Sequence, residues 1–157
     1  SLFESCKSMA QLKQIHSLTI RKGLTSDHIM LSKIIGFCCT HESGDMNYAR
    51  LVFDTILEPN LFIWNTMIKG YSRIDCPKYA VSMYVEMLEK NVKPDHYTFP
   101  FLLKGFTRDI GLECGKGIHS HVHKFGFDSN VFVQNALIHM YSLCGQIEIA
   151  RGVFDTS

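Results

Sequence analysis

Apolar residues recur every three or four positions through most of this chain, a spacing that is typical of helices with one buried face. The pattern is plainest in residues 61–95, where it predicts two short helices separated at Cys76-Pro77. Proline suits the first turn of a helix, so Pro77 is expected to open the second helix. We expect Lys93-Pro94-Asp95 to end it. Two helices this short cannot bury both of their apolar faces, so they require similar neighbours.

Short motifs recur along the chain and supply those neighbours. NTMIKGYS at 65–72 returns as NALIHMYS at 135–142, and YARLVFD at 48–54 returns as IARGVFD at 149–155. The distances between the copies fit a unit of about 33–35 residues, with three kinds of unit in rotation. This periodicity predicts an all-α protein, a right-handed α-solenoid built from helix-turn-helix repeats.

The motifs divide the chain into five units, which span residues 1–27, 28–60, 61–95, 96–130 and 131–157. Besides the two helices of the third unit, the apolar spacing predicts helices at 9–21, 30–40, 46–55, 98–107, 112–124, 133–143 and 147–155. Glycine is expected to stop two of them, at Gly23 and Gly126. Residues 1–6 are expected to be the tail of an earlier helix, so we expect the chain to begin and end inside a unit.

Small residues occupy matching places in the predicted second helices, and a larger residue follows each of them four positions later. The pairs are Ala49 with Phe53, Ala80 with Tyr84, Gly117 with His121 and Ala150 with Phe154. A small residue lets two helices approach closely, and the larger one fills the adjoining gap. We interpret this stripe, together with Trp64 and Met67, as core packing.

Composition adds limits on the class of protein. Hydrophobic residues make up 46% and charged residues 20% of the chain, as in an ordered protein, and the net charge is only +1. Any binding of nucleic acid must therefore be local. No apolar run approaches the roughly 18 residues of a membrane span. The six scattered cysteines predict reduced thiols that act as small core residues, and no cofactor is indicated.

Several motifs resemble those of pentatricopeptide repeat (PPR) proteins of the plant organelle type, in which P, L and S repeats alternate. WNTMIKGYS at 64–72, followed by AVSMYVEM and VKPD, resembles the P repeat. YTFPFLLKG at 97–105 with GKGIHSHVHKFGF at 115–127 resembles the L repeat, and NALIHMYSLCGQIEIARGVFD at 135–155 resembles the S repeat. On this resemblance the five units are a partial L, an S, a P, an L and a partial S repeat.

The resemblance implies that the chain binds single-stranded RNA with one nucleotide per repeat. The fifth and last residues of each unit would read the base, and the second residue would stack on it. The base-reading positions are then Asp27, Ser32, Asn60, Asn65, Asp95, Pro100, Asn130 and Asn135, and the stacking positions are Ile29, Phe62, Tyr97 and Phe132.

By the code of the family, Ser32 with Asn60 implies adenine, and Asn65 with Asp95 implies uracil with cytosine tolerated. Pro100 has no side-chain donor or acceptor, so its unit departs from the readable pattern and is expected to discriminate weakly. These positions also have a purely structural explanation. Asp, Asn and Ser at a helix start are common caps.

The same resemblance implies the recognition part of a C-to-U RNA editing factor in a chloroplast or mitochondrion, with accessory editing factors contacting the L repeat at 96–130. Two alternatives remain open. The chain could serve RNA stabilisation, processing or translation, or it could be a helical scaffold that binds proteins. No membrane partner is indicated.

Motifs for catalysis are missing from the sequence. None of the eight histidines is followed two positions later by Glu, and no two cysteines are three positions apart. The segment thus lacks the H-x-E and C-x-x-C motifs of zinc deaminases, and we predict that it is not an enzyme. The resemblance implies that a deaminase-like domain can follow the repeats in such proteins.

Three closely spaced histidines suggest a metal site, but their spacing argues against one. Only His119 and His123 would share a helix face, which leaves His121 apart, and a closed zinc site needs four ligands. No metal is predicted. His16 occupies the place of His119 in the first unit, so a structural or inter-repeat role is expected for both.

Overall fold

The computed structural model describes residues 2–106 and 110–156. Within these ranges the chain is all-α and contains no strand, as predicted. The helices are α1 (Met9–Arg21), α2 (His28–Thr40), α3 (Met46–Phe53), α4 (Leu61–Arg73), α5 (Pro77–Glu89), α6 (Thr98–Lys104), α7 (Leu112–Lys124), α8 (Val131–Leu143) and α9 (Ile147–Asp155). None of them is long and apolar enough to cross a membrane.

Most predicted helix boundaries are confirmed within two residues, and α1, α7 and α9 match throughout. Helices α2 and α8 begin earlier than predicted, because Asp27 and Asn130 accept hydrogen bonds from the first backbone N–H groups. Helix α6 ends at Lys104, whereas the predicted end, Thr107, lies outside the described residues. Residues 2–5 form a turn and not the predicted helix tail.

The predicted stop of α5 at Lys93-Pro94-Asp95 is wrong. The helix ends at Glu89, where Asn91 takes a left-handed conformation (φ 59°) and the N–H of Val92 donates to the carbonyl of Met87 at 3.1 Å. The predicted glycine stops of α1 and α7 are confirmed. Gly23 and Gly126 take the same conformation, with φ of 71° and 77°.

The helices form two layers. The first helices of successive units, α2, α4, α6 and α8, pack side by side in one layer. The second helices pack against them, most extensively α3 on α2, α5 on α4 and α9 on α8. Each unit therefore rests on the next, as in a helical solenoid.

One continuous hydrophobic core runs through both layers from Cys6 to Val153. Trp64, Met67 and Tyr84 are at most 1% exposed, which confirms their prediction as core residues. The ring of Trp64 meets Phe53 of the preceding unit edge-on, with centroids 4.7 Å apart, so it joins two units.

The cysteines contribute thiols to this core, as predicted. All six are free, and Cys6, Cys38 and Cys39 are buried. Burial raises the pKa of Cys38 to about 11 and that of Cys39 to about 12. These two thiols therefore stay protonated at neutral pH and act as packing groups.

The small-residue stripe is confirmed at three of its four predicted positions: Ala49, Ala80 and Ala150 are buried. Gly117 is exposed, so its assignment is wrong. The matching residue is Gly115, which is the fourth residue of α7 as Ala80 is of α5. A Cβ atom on Gly115 would lie only 2.6 Å from Sδ of Met140, so α7 and α8 approach closely there.

The larger residues of the stripe behave unequally. Phe53 and Tyr84 are buried, but Phe154 is 67% exposed and fills no gap. His121 is partly exposed and hydrogen-bonds through Nδ1 to the hydroxyl of Tyr84 in the preceding unit, at 2.8 Å. That contact is polar, so the packing interpretation is wrong for Phe154 and incomplete for His121.

The structure confirms the inter-repeat role expected for His16 and His119. Nδ1 of His16 lies 2.7 Å from the hydroxyl of Tyr48, and Nδ1 of His119 lies 2.9 Å from that of Tyr141, each in the next unit. Burial lowers the pKa of both histidines. The neutral ring can then accept a hydrogen bond from the tyrosine hydroxyl.

The three closely spaced histidines form hydrogen bonds with three different residues. His119 and His121 contact tyrosines of two different units, and His123 contacts Asp128 at 3.2 Å. Among the described residues, no group of three potential metal ligands comes together.

The close approach of α2, α3 and α4 generates a testable prediction at Gly70. A Cβ atom there would lie 2.6 Å from Sδ of Met46 and 2.8 Å from Cβ of Cys39. We expect Gly70→Ala to lower the free energy of unfolding by about 1–3 kcal/mol through overpacking, as measured by urea denaturation.

The matched control is Gly117→Ala, because a Cβ atom on Gly117 would meet nothing within 4 Å. Alanine is a better helix former than glycine, so this variant should be neutral or more stable by up to about 1 kcal/mol. Equal urea midpoints for Gly70→Ala and the unchanged chain would show that α4 is not packed this closely.

Candidate nucleic-acid interface

A regular row of exposed apolar side chains lies at the N-terminal ends of the first helices. Ile29, Phe62, Tyr97 and Phe132 are each the second residue of a unit, and they are 57–71% exposed. Single large apolar residues are common on protein surfaces and need no explanation. Here, however, an exposed apolar residue occupies the same position in four consecutive units. The row offers flat or apolar surfaces on which a planar ligand can stack.

The last residues of the units cap the helices that follow them. The side-chain oxygens of Asp27 and Asn130 each accept two N–H bonds at the start of α2 and α8, and Asn60 accepts one from Ile63 at the start of α4. Asp95 accepts from the N–H groups of Tyr97 and Thr98 in the same way, just before α6. The structural explanation of these residues is therefore confirmed, whether or not they also touch a ligand.

The fifth residues differ from unit to unit. Ser32 is partly exposed, and its hydroxyl donates to the carbonyl of Ile29 at 2.9 Å. Pro100 lies in the first turn of α6, where a missing N–H costs nothing. Asn135 is exposed on α8. In the described part of the chain, no hydrogen bond joins Ser32 to Asn60.

Unit 61–95 is different, because its fifth and last residues meet. Nδ2 of Asn65 donates to Oδ1 of Asp95 at 3.0 Å. The hydroxyl of Thr98 lies 2.8 Å from Oδ1 of Asn65 and 3.0 Å from Oδ1 of Asp95. Asn65 is only 6% exposed and Thr98 is fully buried. These three side chains form a compact polar cluster, the Asn65–Asp95–Thr98 cluster, at the edge of the core.

The cluster also sets the charge state of Asp95. Burial by itself would raise the pKa of this carboxyl group. Hydrogen bonds from Asn65 and from the N–H groups of Thr98 and Tyr97 outweigh that effect, so the pKa lies below its ordinary value. Asp95 is consequently an anion at neutral pH, and all these bonds reach its Oδ1 atom.

A surface groove of about 660 Å³ lies over the cluster. It is lined by α2, α4 and the start of α6, through Gly36, Thr40, Leu61, Phe62, Asn65, Thr66, Lys69, Asp95, Tyr97 and Phe101. The Nζ atom of Lys69 lies 5.2 Å from the ring centre of Phe101, which in turn stacks against Tyr97 at 6.2 Å. The groove thus combines aromatic surface, an amide, a carboxylate and a cation.

The structure brings together four of the twelve residues that the resemblance selects: Phe62, Asn65, Asp95 and Tyr97 line this groove. The other eight lie in, or immediately before, α2, α4, α6 and α8 and do not line it. Sequence reasoning missed Thr98 and Lys69. A signal for Thr98 was present, because its place in the other units is held by the apolar residues Met30, Ile63 and Val133.

A two-layer array of short helix pairs, with a row of exposed apolar residues at the starts of the first helices, defines an α-helical repeat protein. Comparison with known families agrees. A PPR repeat family model matches residues 59–108, and a PPR repeat model matches residues 135–156.

The chain is also similar to curated proteins of Arabidopsis thaliana. It is 48% identical over 156 residues to a putative pentatricopeptide repeat-containing protein. The aligned region covers 99% of this chain and 23% of that protein. Two chloroplastic pentatricopeptide repeat-containing proteins are 42% identical over 159 residues and 40% identical over 151 residues. These matches cover 100% and 95% of this chain, but 21% and 27% of the relatives.

The chain belongs to the pentatricopeptide repeat family, whose members are generally non-enzymatic RNA-binding proteins. It spans about a quarter of the length of the relatives named above.

The double role of Asp95 predicts an unusually large loss of stability when it is removed. Asp95→Ala deletes a helix cap and also leaves the buried Nδ2 group of Asn65 without its carboxylate partner. We expect the free energy of unfolding to fall by about 2–4 kcal/mol, measured by chemical denaturation. Asp27→Ala is the matched control, since it removes a cap alone and should cost about 1 kcal/mol. Equal losses in the two variants would mean that the contact with Asn65 contributes nothing.

Proposed function

We propose that the chain binds single-stranded RNA, one nucleotide per repeat, and that unit 61–95 recognises uracil with cytosine tolerated. The observation that carries this proposal is the groove in which the exposed ring of Phe62 lies beside the Asn65–Asp95 pair. A base stacked on Phe62 would present its Watson–Crick edge toward the amide of Asn65.

The chemistry of the amide supports a base as ligand. Asn65 has two N–H donors and an oxygen with two lone pairs, and its contacts with Asp95 and Thr98 use one of each. One donor and one acceptor therefore remain for a ligand. The edge of uracil carries an N–H group between two carbonyl oxygens, which complements such a pair. The preference for uracil itself comes from the resemblance to the family.

The groove also suits the backbone of RNA. Lys69 places a positive charge on the groove wall, one turn after Asn65 on α4. A phosphate contact here is local, which agrees with a net charge of only +1.

The remaining units follow the same scheme in our proposal. Ile29, Tyr97 and Phe132 stack on successive bases, Ser32 with Asn60 favours adenine, and the unit of Pro100 discriminates weakly. Asp27, Asn130 and Asn135 are assigned base-reading roles as well. The exposure of all four stacking residues supports this arrangement.

For the whole protein, we propose site-specific recognition of an organelle transcript that directs C-to-U editing, with accessory editing factors at residues 96–130. The alternating order of P, L and S repeats supports editing, and the word chloroplastic in the names of two relatives supports an organelle. The test is to sequence organelle transcripts in plants that lack the full-length protein. Loss of editing at a defined site is expected, whereas altered transcript abundance with editing intact would favour the stabilisation role.

The RNA-binding proposal can be tested on the chain itself by NMR. A ¹⁵N-labelled chain would be titrated with short homopolymers of U, C and A at one fixed salt concentration, because affinity for RNA is salt-dependent. We expect the U polymer to give the largest shifts at the Asn65 side-chain amide and at the start of α4. Absence of shifts with every RNA would overturn the proposal and favour a protein-binding scaffold.

Phe62→Ala should weaken binding to the U, C and A polymers about equally. Stacking on an aromatic ring contributes about 1–3 kcal/mol per base and tolerates every base. Leu57→Ala is the control, because Leu57 is 95% exposed and does not line the groove. A large change in base preference, measured from the ratio of dissociation constants, would contradict a stacking role for Phe62.

Asn65→Ser should shift the preference away from uracil and toward a purine. Serine is shorter than asparagine, so it leaves room for the larger ring and cannot present the paired donor and acceptor of an amide. The measurement is the ratio of dissociation constants for U and A polymers. Thr66→Ser on the same groove wall serves as the control, and an unchanged ratio in Asn65→Ser would count against the assignment of uracil.

A further inference from the structure

Thr98 is the third residue of unit 96–130, yet its hydroxyl group contacts two residues of the preceding unit. Oγ1 lies 2.8 Å from Oδ1 of Asn65 and 3.0 Å from Oδ1 of Asp95, and it accepts the backbone N–H of Asp95 at 3.0 Å. The residue is fully buried. A buried hydroxyl with three polar neighbours has little freedom to move, so it can fix the groups around it.

The Thr98 hydroxyl group can donate to only one of its two side-chain acceptors. Threonine has a single O–H donor, whereas Oδ1 of Asn65 and Oδ1 of Asp95 are both acceptors within reach. Asp95 already receives the Asn65 amide and two backbone N–H bonds at Oδ1. The amide oxygen of Asn65 has the shorter contact and fewer competing donors, so the Thr98 proton belongs there.

These contacts hold the amide of Asn65 at both of its ends. Nδ2 faces the carboxylate of Asp95, and Oδ1 faces the hydroxyl of Thr98. A flipped amide would set its oxygen against the carboxylate, which is repulsive. Without the hydroxyl, only the Nδ2 end would be held, and the free donor and acceptor would no longer have a fixed direction toward the groove.

The other units offer a comparison within the same molecule. The place of Thr98 is taken by Met30, Ile63 and Val133, whose side chains cannot donate a hydrogen bond. In unit 28–60, where Ile63 follows, Ser32 donates to its own helix and Asn60 acts as a cap. Within the described residues, the fifth and last residues of a unit are joined by a hydrogen bond only where a threonine follows them.

We propose that Thr98 is a positioning residue that sets the base preference of unit 61–95 from the neighbouring unit. It does so by orienting the Asn65 amide, so that recognition of one nucleotide depends on three residues: the fifth, the last, and the third of the next unit. This inference rests on the proposed RNA-binding function for its consequence, but the orientation of the amide is a property of the chain without RNA.

The first test uses the RNA-free chain. Thr98→Val removes the hydroxyl but keeps the shape, and hydrogen exchange of the Asn65 side-chain amide is followed by NMR. We expect exchange to become about three- to tenfold faster, the factor that matches loss of one hydrogen bond. Thr19→Val is the matched control, because Thr19 is also buried but lies outside the groove and donates to the carbonyl of His16. Thr98→Ser, which restores the hydroxyl, should return exchange to its original rate.

The second test measures base preference with the same variants and the U, C and A polymers. Thr98→Val should reduce the preference for U over A by about three- to tenfold, while Thr98→Ser and Thr19→Val keep it. Circular dichroism and the thermal midpoint report folding separately, and a merely structural role would weaken binding to every polymer without altering the ratio.

The outcomes separate the two proposals. Unchanged amide exchange in Thr98→Val, or an unchanged U-to-A ratio in a chain that binds RNA, would overturn the positioning role and leave RNA binding intact. Faster exchange in Thr98→Val together with no RNA binding by the unchanged chain would overturn the proposed function, and with it the role of Thr98 in base preference.

Discussion

Every unit from residue 28 onward carries two short helices whose apolar faces cannot be covered within the unit, and the rest of the structure depends on this constraint. The first helices must pack in a row, α2 on α4 and α4 on α6, so that one core is shared from end to end. Side-chain contacts across the junctions follow the same rule, from the Phe53–Trp64 ring pair to the three histidine–tyrosine bonds. Packing in a row aligns the helix starts, and alignment turns the second residue of each unit into a repeated surface feature.

Much of the fold could be predicted because the same pattern of apolar residues recurs in every repeated unit. The three-and-four spacing of apolar residues located all of the helices that the structure describes, and α1, α7 and α9 to the residue. The errors arose where a short motif is compatible with either the end of one helix or the start of the next. Lys93-Pro94-Asp95 resembles a helix stop, but Asn91 stops α5 and Asp95 starts the next helix.

Errors of register have a similar cause. Gly115 and Gly117 are both small residues in α7, and only the packing against Met140 tells which of them lies at the helix contact. The candidate site was limited in the same way. Positions within a unit could be read from the repeat, whereas Thr98 contributes across a unit boundary, and a pattern defined within single units does not include such a residue. Lys69 was missed because one exposed lysine on a helix carries no signal until its neighbours are known.

The last residue of unit 61–95 links the stability of the next helix to the geometry of the groove. A residue at this place must accept backbone N–H bonds to start the next helix, which Asp and Asn do well and most other residues do poorly. In unit 61–95 the same carboxylate oxygen also receives the Asn65 amide, so a single atom serves both the helix start and the groove. Any change there alters the fold and the groove together. The capping role thus restricts the last position of a unit to a few residue types, whatever the ligand. The choice between Asp and Asn then depends on the side chain that this residue contacts.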